Sequence, residues 1–200
     1  MATHDSSVKK TRCLWPGSDP LMLAYHDTEW GVPEHNDRKL FELLILDNAQ
    51  AGLSWSTILN KRENYRKALD NFQPEKIAHY SEAKCAQLMA NSGIIRNKLK
   101  IKSHIQNAQT FLKIQEEFGS FDSYIWKFVG GMPITNKWTD HKNIPAKTPL
   151  AEKISSDIKR RGMNFVGPTI IYAWMQSIGM VNDHLVSCFR HSQIVTMSTR

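Results

Sequence analysis

Four side chains with an affinity for metal stand near the two ends of the chain: Cys13 and His26 toward the start, His184 and Cys188 toward the finish. The latter pair is spaced His-x-x-x-Cys. Residues four apart share one face of a helix about one turn apart, so both can grip one ion. A closed tetrahedral zinc site takes four thiolate or imidazole ligands, and Cys13 with His26 completes a Cys2His2 set. Such a site would tie the two ends of the chain together. Spacing alone leaves a second reading open. A lone cysteine commonly serves as a buried small hydrophobe and a lone histidine as a satisfied polar group, and the long intervening segment matches no short finger pattern.

The 200 residues are 41% apolar, enough for one core or two closely packed lobes and too apolar for a disordered chain. No apolar run approaches the ~18 to 20 residues that span a bilayer, and the opening MATHDSSVKK is too polar for a signal peptide. The expectation is a soluble, cytoplasmic protein with no membrane partner. Cys13, Cys85 and Cys188 are an odd number in a chain without an export signal, which argues against a disulfide framework and leaves reduced thiols for metal. Net charge is +7, from 26 Lys and Arg against 19 Asp and Glu, which suits a polyanionic partner. The basic residues concentrate in Lys61-Arg62, in the stretch 96–102 and in Lys159-Arg160-Arg161. Any one cluster reads as a solvated helix face; three of them, with six tryptophans, fit nucleic acid better.

The elements that must position these residues read as helices. Asn36-Asp37 caps a run in which Leu40, Phe41, Leu43, Leu44 and Leu46 keep helical spacing, ending near Gly52. Ser54 opens a second, carrying Trp55, Ile58, Leu59, Tyr65, Leu69 and Phe72 up to Pro74. Ser81-Glu82 starts a third through Leu88 and Met89, stopped by Ser92-Gly93. The next presents Ile101, Ile105, Ala108, Phe111 and Leu112 and closes near Gly119; a shorter one spans Tyr124 to Val129. After a loop from Gly130 to Lys147, Thr148-Pro149 supplies the N-cap and first residue of a helix to Arg161. Gly167-Pro168 begins another, ended by Gly179, and Asn182-Asp183 caps a last helix that presents His184 and Cys188. Period-two alternation is absent, so the expected fold is all-α. Residues 1–10 and 192–200 read as flexible tails around a single domain over 11–191.

One segment carries more than generic helical content. The stretch from Leu88 through Gly93 to Lys98 reads as helix, glycine-bearing hairpin, then a helix that opens with positive charge. The N-H groups and positive potential of a helix N-terminus can seat a DNA phosphate without reading sequence. A plain helical hairpin satisfies the same residues.

Several blocks closely resemble the 3-methyladenine-DNA glycosylase I family. They are Cys13-Leu14-Trp15, Asp19-Pro20, the run from Ala24 through Tyr25, His26 and Trp30 to Pro33, and Gln50-Ala51-Gly52-Leu53-Ser54-Trp55. Lys61-Arg62-Glu63-Asn64-Tyr65, Gly93-Ile94-Ile95-Arg96, Phe165-Val166-Gly167 and the run from Gly179 to His184 continue the match, which covers about Arg12 to His191. The resemblance implies a helix-hairpin-helix DNA glycosylase with one structural zinc per chain on Cys13, His26, His184 and Cys188. With all four positions filled by protein, such an ion would hold the fold and leave no open site to activate water.

The resemblance further implies base excision. The damaged nucleotide is flipped from double-stranded alkylated DNA into an aromatic pocket, for which Trp15, Tyr25, Trp30 and Trp55 lie in the family's motif blocks. Methylation at N3 leaves adenine positively charged and a good leaving group, and aromatic faces favour a cation by roughly 0.5 to 2 kcal/mol per contact. Any one of these aromatics equally suits core packing. The family's glutamate, which hydrogen-bonds the purine edge, is replaced by Asp47, the expected catalytic and base-recognising acid. Its reach is shorter by roughly 1.3 to 1.5 Å, about half a hydrogen-bond length. A serine frequent in the family is Ala173 here. The turn Ala51-Gly52-Leu53-Ser54 is expected to face DNA, with Leu53 as a wedge in the gap left by the flipped base. Gly93, Arg96 and Lys98 are expected to hold phosphate. A monomer without a nucleotide cofactor completes the expectation. Two rivals remain: a zinc-stapled DNA-binding module without catalysis, and a bifunctional glycosylase-lyase using Lys98, Lys100 or Lys102 to form a Schiff base.

Overall fold

The structure, a computed structural model, describes residues 10–198. Its helices are α1 (Pro20–Thr28), α2 (Asp37–Gln50), α3 (Trp55–Ala68), α4 (Pro74–Ile77), α5 (Glu82–Ala90), α6 (Lys98–Phe118), α7 (Phe121–Trp126), α8 (Pro149–Arg160), α9 (Pro168–Ser177) and α10 (Phe189–Ser198). The caps read from sequence close as hydrogen bonds. Asn36 accepts from the N-H of Lys39, Ser54 from Thr57, Ser81 from Lys84 and Thr148 from Ala151, each satisfying an N-H that the first turn leaves free.

The centre of the molecule is α2, buried continuously from Leu40 to Ala49. A helix apolar on every side can be stable only when surrounded, and α3, α6, α7 and α9 pack against it. This burial carries the polar Asp47 and Asn48 into the interior along with the leucines. A smaller apolar group, Met22, Tyr25, Trp30 and Leu59 with Trp15 and Trp55 against it, forms between α1 and α3. A third gathers Cys13, Leu185 and Cys188.

The architecture differs from the sequence reading in several places. Helix α1 was unassigned; Asp19 nucleates it, its carboxylate accepting from the N-H groups of Leu21 and Met22, with Pro20 preset for the first turn. Helix α3 stops at Ala68 because Asp70, Asn71 and Phe72 take φ of 49°, 54° and 54°, a left-handed turn that delivers Phe72 to the core. The 130–147 loop contributes a short strand, β1 (Ile134–Thr135), paired in parallel with β2 (Val181–Asn182). Finally, His184 and Cys188 precede α10 in a turn instead of riding on a helix. Asp183 is consumed as a buried acceptor for Asn136, Trp138, Tyr172 and Gln176, so it caps nothing. Helix α10 then runs through 192–198, where a tail was expected, because Ile194 buries fully. The remaining tail residues, 1–9 and 199–200, lie outside the described residues.

Candidate functional site

One cavity of about 170 Å³ brings together Trp15, Tyr25, Trp30, Asp47 and Trp55. They arrive from four directions: Trp15 from the N-terminal segment, Tyr25 and Trp30 from α1 and its exit, Asp47 from α2, and Trp55 as the first residue of α3. The rings meet edge to face or tilted, with Trp15 and Trp30 at 5.1 Å between centroids and Tyr25 and Trp55 at 5.2 Å. This geometry is favourable between aromatic quadrupoles and leaves faces available to a planar guest. The wall is completed by Gln50, His141, Ile144, Ala173, Gln176 and Ser177. His141 and Ile144 sit in the irregular 130–147 segment, where no periodicity could announce them.

Asp47 is 4% exposed, and burial pushes its carboxyl up to about 8, opposed by a hydrogen bond with Ser177. The Ser177 hydroxyl lies 3.0 Å from Asp47 Oδ2 and 2.9 Å from the Trp174 carbonyl. One hydroxyl proton cannot serve both acceptors. Given to Asp47 it favours the carboxylate; given to the Trp174 carbonyl it leaves the hydroxyl oxygen free to accept from a protonated Asp47. The hydroxyl absent at Ala173 is thus made up one helical turn later on α9, at a position the i, i+4 rule could have flagged.

Behind the aromatic wall, the ligand atoms of Cys13, His26, His184 and Cys188 lie within 4.8 Å of one another, all four residues buried, in a cluster that could hold a metal ion. Cys13 Sγ is 3.7 Å from His184 Nδ1, and Cys188 Sγ is 3.6 Å from both His26 Nε2 and His184 Nδ1. The outward ring nitrogens face acceptors: His26 Nδ1 meets Asp27 Oδ1 at 2.8 Å and His184 Nε2 the Trp30 carbonyl at 3.0 Å. Donating there fixes each tautomer and turns a lone pair inward, as metal-binding imidazoles require. Cys188 is held low by the Cys13 thiol and, against burial, by the two imidazoles. Gly31 allows the close approach, since a Cβ there would meet His184 Nε2 at 3.1 Å. The cluster and the cavity share a wall, with Trp30 and His184 at 4.6 Å and Trp15 and His26 at 5.5 Å between ring centroids.

Beside the cavity, α2 ends in the turn Ala51-Gly52-Leu53. Gly52 takes φ +78° and Leu53 is 42% exposed. In the hairpin, Arg96 and Lys98 are exposed, but the Gly93 N-H already donates to Asn91 Oδ1 at 2.8 Å and that of Ile95 to the Tyr65 hydroxyl at 3.1 Å. The Gly93 N-H thus already has a partner within the chain, and the side chains the hairpin exposes are Arg96 and Lys98. Two of the three basic clusters also change meaning. Arg62 pairs with Glu29 at 2.6 Å and Glu42 at 2.7 Å, and Arg161 with Glu117 at 2.6 Å and Asp157 at 3.1 Å. Both guanidinium groups are paired within the chain, Arg62 largely buried against Glu42 and Arg161 at the surface. Lys98, Lys100 and Lys102 are all absent from the cavity wall, and Lys100 donates to two backbone carbonyls, so none of the Schiff-base candidates lines the cavity.

Comparison with known proteins adds a family to this geometry. Residues 15–191 match the family model of methyladenine glycosylase. DNA-3-methyladenine glycosylase 1 of Escherichia coli (strain K12) is 45% identical over 177 residues, covering 88% of this chain and 95% of that protein. A crystal structure of 3-methyladenine DNA glycosylase I superposes with a TM-score of 0.88 at 46% identity, over 90% of this chain and 98% of that one. A variant of 3-methyladenine DNA glycosylase I in complex with 3-methyladenine gives a TM-score of 0.87 at 33% identity, over 89% and 96%. The chain belongs to the methyladenine glycosylase family.

Proposed function

We propose that this chain is a DNA repair glycosylase that hydrolyses the N-glycosidic bond of 3-methyladenine in alkylated double-stranded DNA. The observation that carries the reading is the single small cavity in which four aromatic residues surround one buried carboxyl. A base inside a duplex is out of reach of any such cavity, so the nucleotide must be flipped out to enter it. There the aromatic faces attract the cationic base, and a cation beside Asp47 draws its proton off, leaving a carboxylate that accepts a charge-assisted hydrogen bond from the purine edge. Because N3-methylation already weakens the glycosidic bond, recognition and charge stabilisation are the contributions required of the protein.

Leu53 is assigned as the wedge and Arg96 with Lys98 as the phosphate contacts. Support comes from the exposure of all three. The four-residue Cys2His2 cluster is assigned to one structural zinc. Zn-S near 2.3 Å and Zn-N near 2.0 to 2.1 Å in a tetrahedron place ligand atoms about 3.3 to 3.8 Å apart, and the three S-to-N separations above fall in that range. The site is built within one chain, which suits a monomer. No helix among the described residues is long and apolar enough to cross a membrane, in keeping with an enzyme whose substrate is cytoplasmic DNA. Chromatography of bases released from methylated DNA tests the reading. Free 3-methyladenine in the product supports it, while DNA binding without release of base leaves the non-catalytic module.

A further inference from the structure

The end of α2 and the turn beyond it are held by a side chain from another helix. Lys100, in the first turn of α6, is 6% exposed, and its ammonium donates to the carbonyls of Ala49 at 2.9 Å and Ala51 at 2.7 Å. Carbonyls at a helix C-terminus have no N-H of the next turn to accept from and carry the negative end of the helix dipole. A buried ammonium is tolerated only beside such partners. Lys100 is fixed in turn at its backbone, where its N-H donates to Asn97 Oδ1 at 3.1 Å, and Asn97 closes the hairpin. A continuous chain of contacts therefore joins the exposed Arg96 and Lys98 to Gly52 and Leu53. A side chain at Gly52 would meet nothing within 4 Å, and within the turn itself the Leu53 N-H donates to the Gln50 carbonyl at 2.6 Å, so Lys100 is the side chain that ties the turn to another helix.

We propose that Lys100 is a positioning residue for base flipping: it sets the Ala51-Gly52-Leu53 turn against the charged hairpin, so that Leu53 enters the duplex at a fixed distance from the gripped backbone. The proposal rests on the reading of that turn as the DNA wedge. Lys100 lies outside the cavity wall, so removing its charge should spare the pocket itself.

Lys100→Met keeps the length of the stem and removes the ammonium; Lys100→Arg keeps the charge and the donors. Release of 3-methyladenine from methylated duplex under single-turnover conditions should slow by about 10- to 100-fold in Lys100→Met, the weight of a charged hydrogen bond. The fluorescence rise of 2-aminopurine placed next to the lesion should fall with it. Affinity for free 3-methyladenine, read by tryptophan quenching, and for undamaged duplex should stay at wild-type values, and Lys100→Arg should recover most of the loss. Leu53→Ala should reproduce the defect, and the double variant should be little worse than either single one, because one residue acts through the other. Wild-type release by Lys100→Met, or losses that multiply in the double variant, overturns the proposal. So does loss of free-base affinity in Lys100→Met with none in Leu53→Ala, which makes the ammonium a prop of the whole fold. Wild-type protein that binds free base and releases none from DNA overturns the functional reading instead, which keeps the two failures apart.

Discussion

Asp47 is an acid carried into the interior by the leucines on either side of it. In the unfolded chain its carboxyl ionises near the ordinary 3.8; in the fold, burial moves this to about 8. Between those values the folded form keeps a proton that the unfolded chain has released. The stability Asp47 allows is therefore complete below pH 3.8 and fades as pH climbs through 8. Asp47→Asn removes this dependence. Melting curves across pH 5 to 9 should show the variant gaining on wild type as pH rises, by at most about 4 kcal/mol, and curves that stay parallel would show that the carboxyl ionises freely. The same variant should excise 3-methyladenine about ten- to a hundredfold more slowly under single-turnover conditions, whereas Asp47→Glu, with the family's longer acid, should retain or raise activity. Equal excision by Asp47→Asn would leave recognition to the aromatics. The aromatic residues stood in their motif blocks, and the acid stood where the resemblance puts a glutamate. Ser177 was not, because its value comes from facing Asp47 across two helices far apart in sequence.

At the scale of elements, local chemistry predicts well where a cap and a breaker flank a periodic run, as Asn36, Ser54, Ser81 and Thr148 do. It fails where tertiary demands decide the backbone. The left-handed turn at Asp70-Asn71-Phe72 exists to bury Phe72, and the turn holding His184 and Cys188 exists because Asp183 is claimed by four donors from elsewhere. Charge is misread for the same reason, since a sequence does not say which arginines find carboxylates. Two substitutions separate the classes. Arg96→Ala with Lys98→Ala should weaken binding to damaged and undamaged duplexes alike and flatten the salt dependence, since each lost phosphate contact removes about one released counterion. An unchanged salt slope would place the DNA face elsewhere. Arg62→Ala should act through stability, because it strips a partner from the buried Glu42, and should lower the melting temperature with little change in salt slope.

For the whole molecule, the Cys2His2 cluster does more than bring two ends together. Cys13 and His26 flank Trp15 and Tyr25 in sequence, and His184 packs on Trp30, so the cluster and the aromatic cavity are two faces of one wall. Sequence suggested a staple whose loss would cost stability and leave the chemistry alone. The shared wall argues for a second effect. Purified protein should carry one equivalent of zinc, and His26→Ala or Cys188→Ala should lower the melting temperature, since metal binding is coupled to folding in such sites. Both variants should also bind free 3-methyladenine more weakly at temperatures where they remain folded, since His26→Ala removes the ring behind Trp15 and Cys188→Ala takes away a partner that both imidazoles share. Asp27→Asn offers a milder perturbation, leaving all four ligands and weakening the acceptor that orients His26; it should lower metal affinity about 10- to 100-fold. Metal analysis that finds no zinc, together with wild-type melting in His26→Ala and Cys188→Ala, would reduce the cluster to buried packing. Loss of zinc with base affinity intact would instead confine the ion to joining the termini.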